Sequence, residues 1–439
     1  MPGGDYMISV WSDGTRLPRF EQLQGDIKTD VLIIGGGMAG LLCARKLADS
    51  GVDYALVEAQ TLCSGITKNT TAKITAQHGL IYDKLLKEFG SEKARMYLEV
   101  NQSALEEYRV LCGKIDCGFE EKDNFVYSVS EREKLDRELA ALDTLGYSAK
   151  FVREPPLPLE TVGAVGFERQ AQFDPLRFAA AIAKDLNIYE NTRVLELSER
   201  KAITDKGSVA AEKIIVATHF PFINKHGCYF LKQYQHRSYV LGLENAQQPD
   251  AMYVDQSHKG MSFRGYGELL LLGGGGHRTG KQGGGWRELE AFAQRSYPDA
   301  RIKYRWATQD CMTLDGSAYI GQYSKNTPNL YVATGFNKWG MTLSMVAATL
   351  LTDMVLDREN PYAEAFLPWR TLLRPQLAVN AFEAVTSLLQ ISKKRCPHLG
   401  CALKWNAAEH SWDCPCHGSR FTQEGRLIDN PATGDLKSI

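Results

Sequence analysis

Asp30-Val31-Leu32-Ile33-Ile34-Gly35-Gly36-Gly37-Met38-Ala39-Gly40 runs from a short apolar, β-branched stretch into a glycine-rich turn, and Leu41-Leu42-Cys43-Ala44-Arg45-Lys46-Leu47-Ala48 continues it as a helix. The apolar stretch reads as a fully buried strand. Tyr54-Ala55-Leu56-Val57-Glu58 then gives a second strand that ends in an acid, followed by Ala59. Strand, turn, helix, strand is the setting in which G-x-G-x-x-G binds a dinucleotide. Gly35 permits the tight turn, Gly37 lets the backbone approach a pyrophosphate, and Gly40 lets the helix pack close to the strand. The helix N-terminus at Met38 and Ala39 stabilises the phosphate charge, and Glu58 sits where a carboxylate binds ribose hydroxyls.

The glycines alone do not separate FAD from NAD, but later segments do. Cys63-Ser64-Gly65-Ile66-Thr67 opens a hydroxyl-rich loop suited to lie along a cofactor, and Ile215-Val216-Ala217-Thr218 is a further strand. Asp315-Gly316-Ser317-Ala318-Tyr319-Ile320-Gly321 precedes Ala333-Thr334-Gly335-Phe336-Asn337-Lys338-Trp339-Gly340-Met341-Thr342, again strand, turn and helix. With these motifs the chain, from Thr29 to Val355, resembles the D-amino acid oxidase superfamily of FAD enzymes, in particular its glycine oxidase and sarcosine oxidase branch. The resemblance implies FAD held by the N-terminal glycines, Ser64, Gly65, Thr67, Ala217, Thr218, Gly335, Phe336 and Lys338 through Thr342. It also implies a helix N-terminus facing the electron-accepting end of the flavin.

Near the C-terminus stand Cys396-Pro397-His398-Leu399-Gly400-Cys401 and Cys414-Pro415-Cys416-His417-Gly418-Ser419. Two short loops, each with one Cys and one His, are what a 2Fe-2S centre needs when one iron takes two thiolates and the other two imidazoles. Cys396, His398, Cys414 and His417 are the expected ligands. A structural zinc site is the competing reading, but zinc ligands usually come in close C-x-x-C or H-x-x-H pairs without two extra cysteines beside them. The loops resemble those of the Rieske proteins of respiratory cytochrome bc complexes, and the resemblance implies a Cys401–Cys416 disulfide and a Ser419 hydrogen bond to a cluster sulfide. Strand-rich sequence is lacking before Cys396, so the module reads as abbreviated, with Trp405 and Trp412 as its expected hairpin core and the flavoprotein as its support.

Between the nucleotide segments, 81–113 reads as a packing helix, while 119–159 and 233–306 hold short alternating runs that read as an antiparallel sheet. Gly273-Gly274-Gly275-Gly276-His277-Arg278-Thr279-Gly280 follows one of its strands. His277 and Gly280 match a His and a Gly at the comparable strand end of sarcosine oxidase, which makes His277 a candidate active-site residue. His78 and His219 lie beside segments expected to touch the flavin. Arg278 and Arg237 offer a bidentate fork for a substrate carboxylate. Cys311 raises the question of covalent flavin, although it lies closer to Asp315-Gly316 than the family's attachment residue does. Lys338 is the lysine near the flavin motif that the family's oxygen-activating lysine brings to mind.

The 439 residues, 44% hydrophobic and 23% charged, suit a multidomain enzyme, and 51 basic against 52 acidic residues give no reason to expect nucleic acid or an anionic membrane as partner. No run of about 18 uncharged apolar residues appears, and Met1 to Phe20 does not form a signal-peptide core. Six scattered cysteines read as free thiols of a cytoplasmic protein. The expected architecture is α/β + β: a Rossmann-like, glutathione reductase-type FAD-binding domain (29–80, 160–225 and 310–357), an antiparallel-sheet substrate domain (81–159 and 226–309), a linker and helix (358–390), and a small abbreviated Rieske β module (391–439). Segments 1–357 then form an FAD-dependent oxidoreductase that takes a hydride from the CH–NH carbon of a small amine or amino acid. Electrons pass singly to the 2Fe-2S cluster and an external acceptor. The alternatives are a cluster-fed flavin reductase running from an external donor, and a non-catalytic electron-transfer flavoprotein.

Overall fold

The buried runs of the sequence become a parallel sheet. In the computed structural model, which describes residues 8–437 apart from 225, 258, 282 and 372, Ile27–Ile34 lies between Gly207–Val216 and Tyr54–Val57, parallel to both. Leu330–Thr334 and Ile188–Tyr189 extend the sheet in parallel on either side, and Tyr319–Gln322 closes one edge antiparallel. Alternation sorts the side chains: Val31, Ile33, Ile215 and Ala333 pack with the helices Met38–Asp49 and Gly340–Val355, while Leu32, Ile34, Ile214 and Val332 pack with Val194, Ala202, Tyr229 and Tyr323. Gly340–Val355 is apolar nearly all round because it is buried nearly all round.

The second sheet has nine strands, centred on Gln233–Glu244 between Leu269–Arg278 and Arg301–Thr313. It differs from the all-antiparallel expectation in one place: Met252–Asp255 pairs parallel with Glu120–Ser128, two strands that no hairpin joins and whose relative direction no turn dictates. Gly163–Gln172 pairs with Glu120–Ser128, so these residues belong to this sheet and not to the nucleotide segment 160–225. Gly166 stands opposite Phe125, whose ring covers it so closely that a Cβ there would lie 2.2 Å away. The packing helix runs Tyr82–Cys112, interrupted at Gly90, whose φ of 81° suits glycine.

The linker is not a loose tether. Pro361–Phe366 forms a 3-10 helix with Phe366 in the main core, and Arg370 reaches back to the buried Asp315 carboxylate at 2.6 and 2.7 Å. Helix Pro375–Leu389 leads to four short antiparallel strands, Lys404–Asn406, Ser411–Asp413, Arg420–Thr422 and Leu427–Asp429. Trp405 and Trp412 form a cross-strand pair, of which Trp412 packs against the core and Trp405 is exposed. Ser411, Asp413 and Arg420 form a buried hydrogen-bonded network, the apolar centre is Leu403, Phe421, Ala432 and the four cysteines, and Trp412 packs half-buried against it. Met1 to Met7 of the N-terminal stretch, and Ser438 and Ile439 of the last module, lie outside the described residues. Among the described residues no helix is long and apolar enough to cross a membrane.

Candidate functional site

The glycine turn opens onto a long cavity. A Cβ on Gly40 would sit 1.9 Å from the Gly35 carbonyl oxygen, and one on Gly35, at φ 113°, 2.5 Å from the Ala217 oxygen, so these two glycines serve strand and helix packing. At Gly37 the nearest atom is Thr67 Oγ1 at 3.5 Å. Its bare backbone therefore leaves room on the cavity side, a cradle that fits a pyrophosphate at the helix N-terminus. Thr67 Oγ1 also accepts from Met38 N at 3.1 Å, and Glu58 accepts from Gly36 N at 2.7 Å and Gln60 N at 2.8 Å. Burial raises the Glu58 carboxyl against those two hydrogen bonds. Gly35, Gly37, Met38, Ala39, Glu58, Ala59, Ser64, Gly65, Thr67, Ala217, Thr218, Gly335, Phe336, Lys338, Gly340 and Met341 all line this cavity.

Gly40, Trp339 and Thr342 are not brought to its surface. Thr342 Oγ1 instead clasps the Thr75 backbone at both N and O, 2.9 Å each, and Trp339 stacks on His78 at 5.2 Å. His78 is buried behind that ring, its Nδ1 2.7 Å from Tyr97 Oη, and burial pushes its pKa down to about 3, so it is a neutral packing partner. Lys338, His219, Cys311 and Asp310 do reach the cavity. Burial lowers Lys338 and raises Asp310, each working against their mutual attraction, and the Lys338 Nζ lies 3.3 Å from Ser238 Oγ. Burial pushes the Cys311 thiol up to about 12, which leaves it protonated and a poor nucleophile. Asp310 carried no sequence signal, because nothing local marks which face of Arg301–Thr313 meets the cofactor.

His277, Arg278 and Arg237 are directed elsewhere, a correction to their sequence-based roles. His277 Nε2 lies 3.0 Å from Tyr239 Oη and its Nδ1 2.9 Å from the Arg278 carbonyl. Arg278 donates to the Pro415 carbonyl at 3.2 Å and to Asn380 Oδ1 at 3.0 Å. Arg237 forms a buried ion pair with Glu409. Arg237 and Arg278 are thus turned towards the C-terminal part of the chain, and His277 is held within its own sheet.

The two Cys/His loops repeat one geometry. Gly400 N donates to the Cys396 carbonyl and Gly418 N to the Cys414 carbonyl, while Cys396 N donates to Cys401 O and Cys414 N to Ser419 O, each at 2.9 Å. Gly400 and Gly418 close the turns at φ 78° and 82°, where glycine is the residue without strain. Cys401 and Cys416 form the disulfide between the loops. The His398 and His417 rings meet edge to face at 4.9 Å, and the Nδ1 atom of each is buried without a partner. Hydrogen bonding from Cys414, then from Ser419 and the His398 and Leu399 backbone, draws the Cys396 thiol down to about 7 although burial opposes it. Two adjoining thiols and two orphaned imidazole nitrogens are the donor set of a Rieske cluster. The other edge of His398 is held by Asn224 Oδ1 at 2.9 Å, the outer-sphere bond that fixes such a ring.

The module is pressed onto the flavoprotein around this point. Asn430 Nδ2 donates to the carbonyls of Thr218 and Phe220, 2.7 Å each, and Gln309 Nε2 to that of Gly418 at 2.9 Å. Gly418 lies so close that a Cβ would be 2.1 Å from Gln235 Cγ, and the Gln235 Oε1 lies 3.2 Å from His219 Nε2 in the cavity wall. Leu427 to Asn430, Ala432 and Thr433 complete that wall from the module's side.

A dinucleotide cavity beneath a large mixed sheet, with a thiolate–imidazole loop pair against its wall, defines a flavin-dependent oxidoreductase that carries its own iron–sulfur module. The chain belongs to the FAD dependent oxidoreductase (DAO) family, whose model matches residues 30–354, and the Rieske [2Fe-2S] domain model matches residues 378–439. Its cofactors are FAD and a 2Fe-2S cluster. It is 35% identical to the Rieske 2Fe-2S iron-sulfur protein YhfW of Bacillus subtilis over 98% of this chain and 97% of that protein. It is 25% identical to gamma-glutamylputrescine oxidoreductase of Escherichia coli over 82% of this chain and 93% of that one. Among solved structures, glycine oxidase from Geobacillus kaustophilus shares the fold at a TM-score of 0.65 and 22% identity, covering 79% of this chain and 99% of that one. L-proline dehydrogenase from P. horikoshii does so at 0.66 and 17%, covering 79% and 98%.

Proposed function

We propose that this protein oxidises a small amine or amino acid at its CH–NH carbon and passes the electrons singly to its own Rieske centre, from which an external acceptor draws them. The observation that carries this reading is the short bridge between the two sites: Gln235 touches His219 of the cavity wall on one side and Gly418 of the second ligand loop on the other. When bound, the flavin supplies hydride acceptance and the cluster one-electron transfer. The protein's part is to hold the substrate dry and in the correct protonation state. A substrate ammonium must lose a proton before its carbon gives up hydride. Asp310, whose carboxyl burial raises, is suited to accept that proton at a carboxylate oxygen, and Lys338 beside it balances the charge. The gamma-glutamylputrescine oxidoreductase and glycine oxidase likenesses support the amine class of substrate.

Anaerobic titration with a panel of amines and amino acids tests this. Bleaching of the flavin absorbance, followed by the reduced-cluster signal in electron paramagnetic resonance, is the expected result. If no member of the panel reduces either centre while dithionite reduces both, the proposal is overturned. If a reductant of the cluster delivers electrons onward to the flavin and an imine is then reduced, flow runs in the opposite direction and the proposal is overturned as well.

A further inference from the structure

Helix Pro375–Leu389 is built in reverse of a helix that covers a core. Its buried residues are polar: Asn380, which accepts from Arg278 and donates to the Leu231 carbonyl at 3.2 Å, and Ser387, whose carbonyl accepts from Ala402 N at 3.1 Å. Its opposite side exposes the apolar Val379, Phe382, Val385 and Leu389, with Phe382 67% and Leu389 79% exposed, interrupted by Thr386, whose hydroxyl turns back to the Phe382 and Glu383 carbonyls. At about 100° per residue these four fall within an arc of about 120° opposite Asn380 and Ser387. Beyond the helix Ile391 is 99% exposed, and at the helix end Leu388 lies 3.9 Å from a Cβ placed on Gly400 of the first ligand loop, next in sequence to the exposed Leu399. Single exposed leucines are ordinary, but a strip of this kind marks a contact surface.

Charge states what the contact is with. From Ala384 to Ala408 the chain contains Lys393, Lys394, Arg395 and Lys404 and no Asp or Glu. The preceding acid, Glu383, is taken by Lys281 at 2.6 Å. Arg395 folds over the carbonyls of Leu388, Gln390 and Gly400, and Lys404 pairs with the Gln390 side chain, so both cations are fixed at the end of the strip. We infer that this face anchors the protein on an anionic bilayer surface. The helix lies in the membrane plane with Phe382, Val385, Leu389 and Ile391 at the acyl boundary and Lys393, Arg395 and Lys404 among acidic headgroups. With 15 residues it is too short to span, since that takes about 20. This inference is independent of the direction of electron flow.

The full-length protein loaded with FAD and cluster is mixed with vesicles of phosphatidylcholine alone, or of phosphatidylcholine with phosphatidylglycerol, and floated on a density gradient. Flotation with the anionic vesicles, at least ~tenfold weaker with the neutral ones and reduced by salt, is expected. The double variant Phe382→Asp/Leu389→Asp loses flotation while keeping both cofactor absorbances, and Lys393→Glu/Lys404→Glu weakens it on anionic vesicles. In a separate Leu389→Trp protein the indole emission shifts to the blue on anionic vesicles. Absence of flotation with either vesicle overturns the inference. So does a dimer in sedimentation that Phe382→Asp/Leu389→Asp converts to monomer without any vesicle binding by the parent, because the face then belongs to a second copy.

Discussion

Replacing Glu409 by glutamine tests how firmly the cluster module is held. The Glu409 side chain is 8% exposed and faces Arg237 at 3% and Arg420 at 6%. Burial alone would raise its carboxyl, yet the two guanidiniums outweigh burial and hold it at about 2, below the ordinary 4.5. A folded-state value depressed by that much corresponds to about 3 kcal/mol of stability. Because the value is depressed, the contribution is complete above about pH 4.5 and is lost as the pH falls towards about 2. Glu409→Gln removes the charge and leaves Arg237 buried without its anion. It is expected to cost about 3 kcal/mol at neutral pH, with the gap to the parent narrowing on acidification through that window. Urea unfolding, followed by flavin fluorescence and by the visible circular dichroism of the cluster, measures both. The paired variant Arg237→Met/Glu409→Leu removes both charges and is expected to recover at least half of the loss. A Glu409→Gln protein within about 0.5 kcal/mol of the parent, or a gap that does not change with pH, would refute the reasoning.

Gly40→Val is expected to yield protein without bound FAD, seen as loss of visible flavin absorbance, because its first carbon already falls 1.9 Å from the Gly35 oxygen. Asn430→Ala removes both hydrogen bonds to the Thr218 and Phe220 carbonyls at the cavity rim, each worth about 1 kcal/mol, and is expected to speed FAD release about tenfold in a fluorescence dilution assay with cluster content unchanged. Cys414→Ser is expected to abolish the cluster's absorbance and paramagnetic signal while the flavin is retained, since only the cluster depends on that thiolate.

The glycine turn and the two Cys/His loops were legible because each works within a few consecutive residues: Gly35 to Gly40 form one turn, and the backbone turn of each cluster loop is closed by hydrogen bonds within that loop. Arg278 and Arg237 misled because their partners Glu409, Pro415 and Asn380 arrive from more than a hundred residues away, and His277 because its partner Tyr239 lies on the neighbouring strand. Asn430 and Gln235 had no local signature, being defined by a seam between distant segments. The near-neutral total charge concealed the patch around Lys393, because an average over the whole chain erases an uneven distribution.

The cavity wall made by Leu427 to Thr433 also sets an order of assembly. Every other wall residue leaves the ribosome earlier, so a nascent chain presents its nucleotide site open along one side until the last strand is made. Docking of that segment supplies the missing side. Undocking of the segment from Leu427 to Thr433 would thus open the nucleotide site and uncover the ligand loops together.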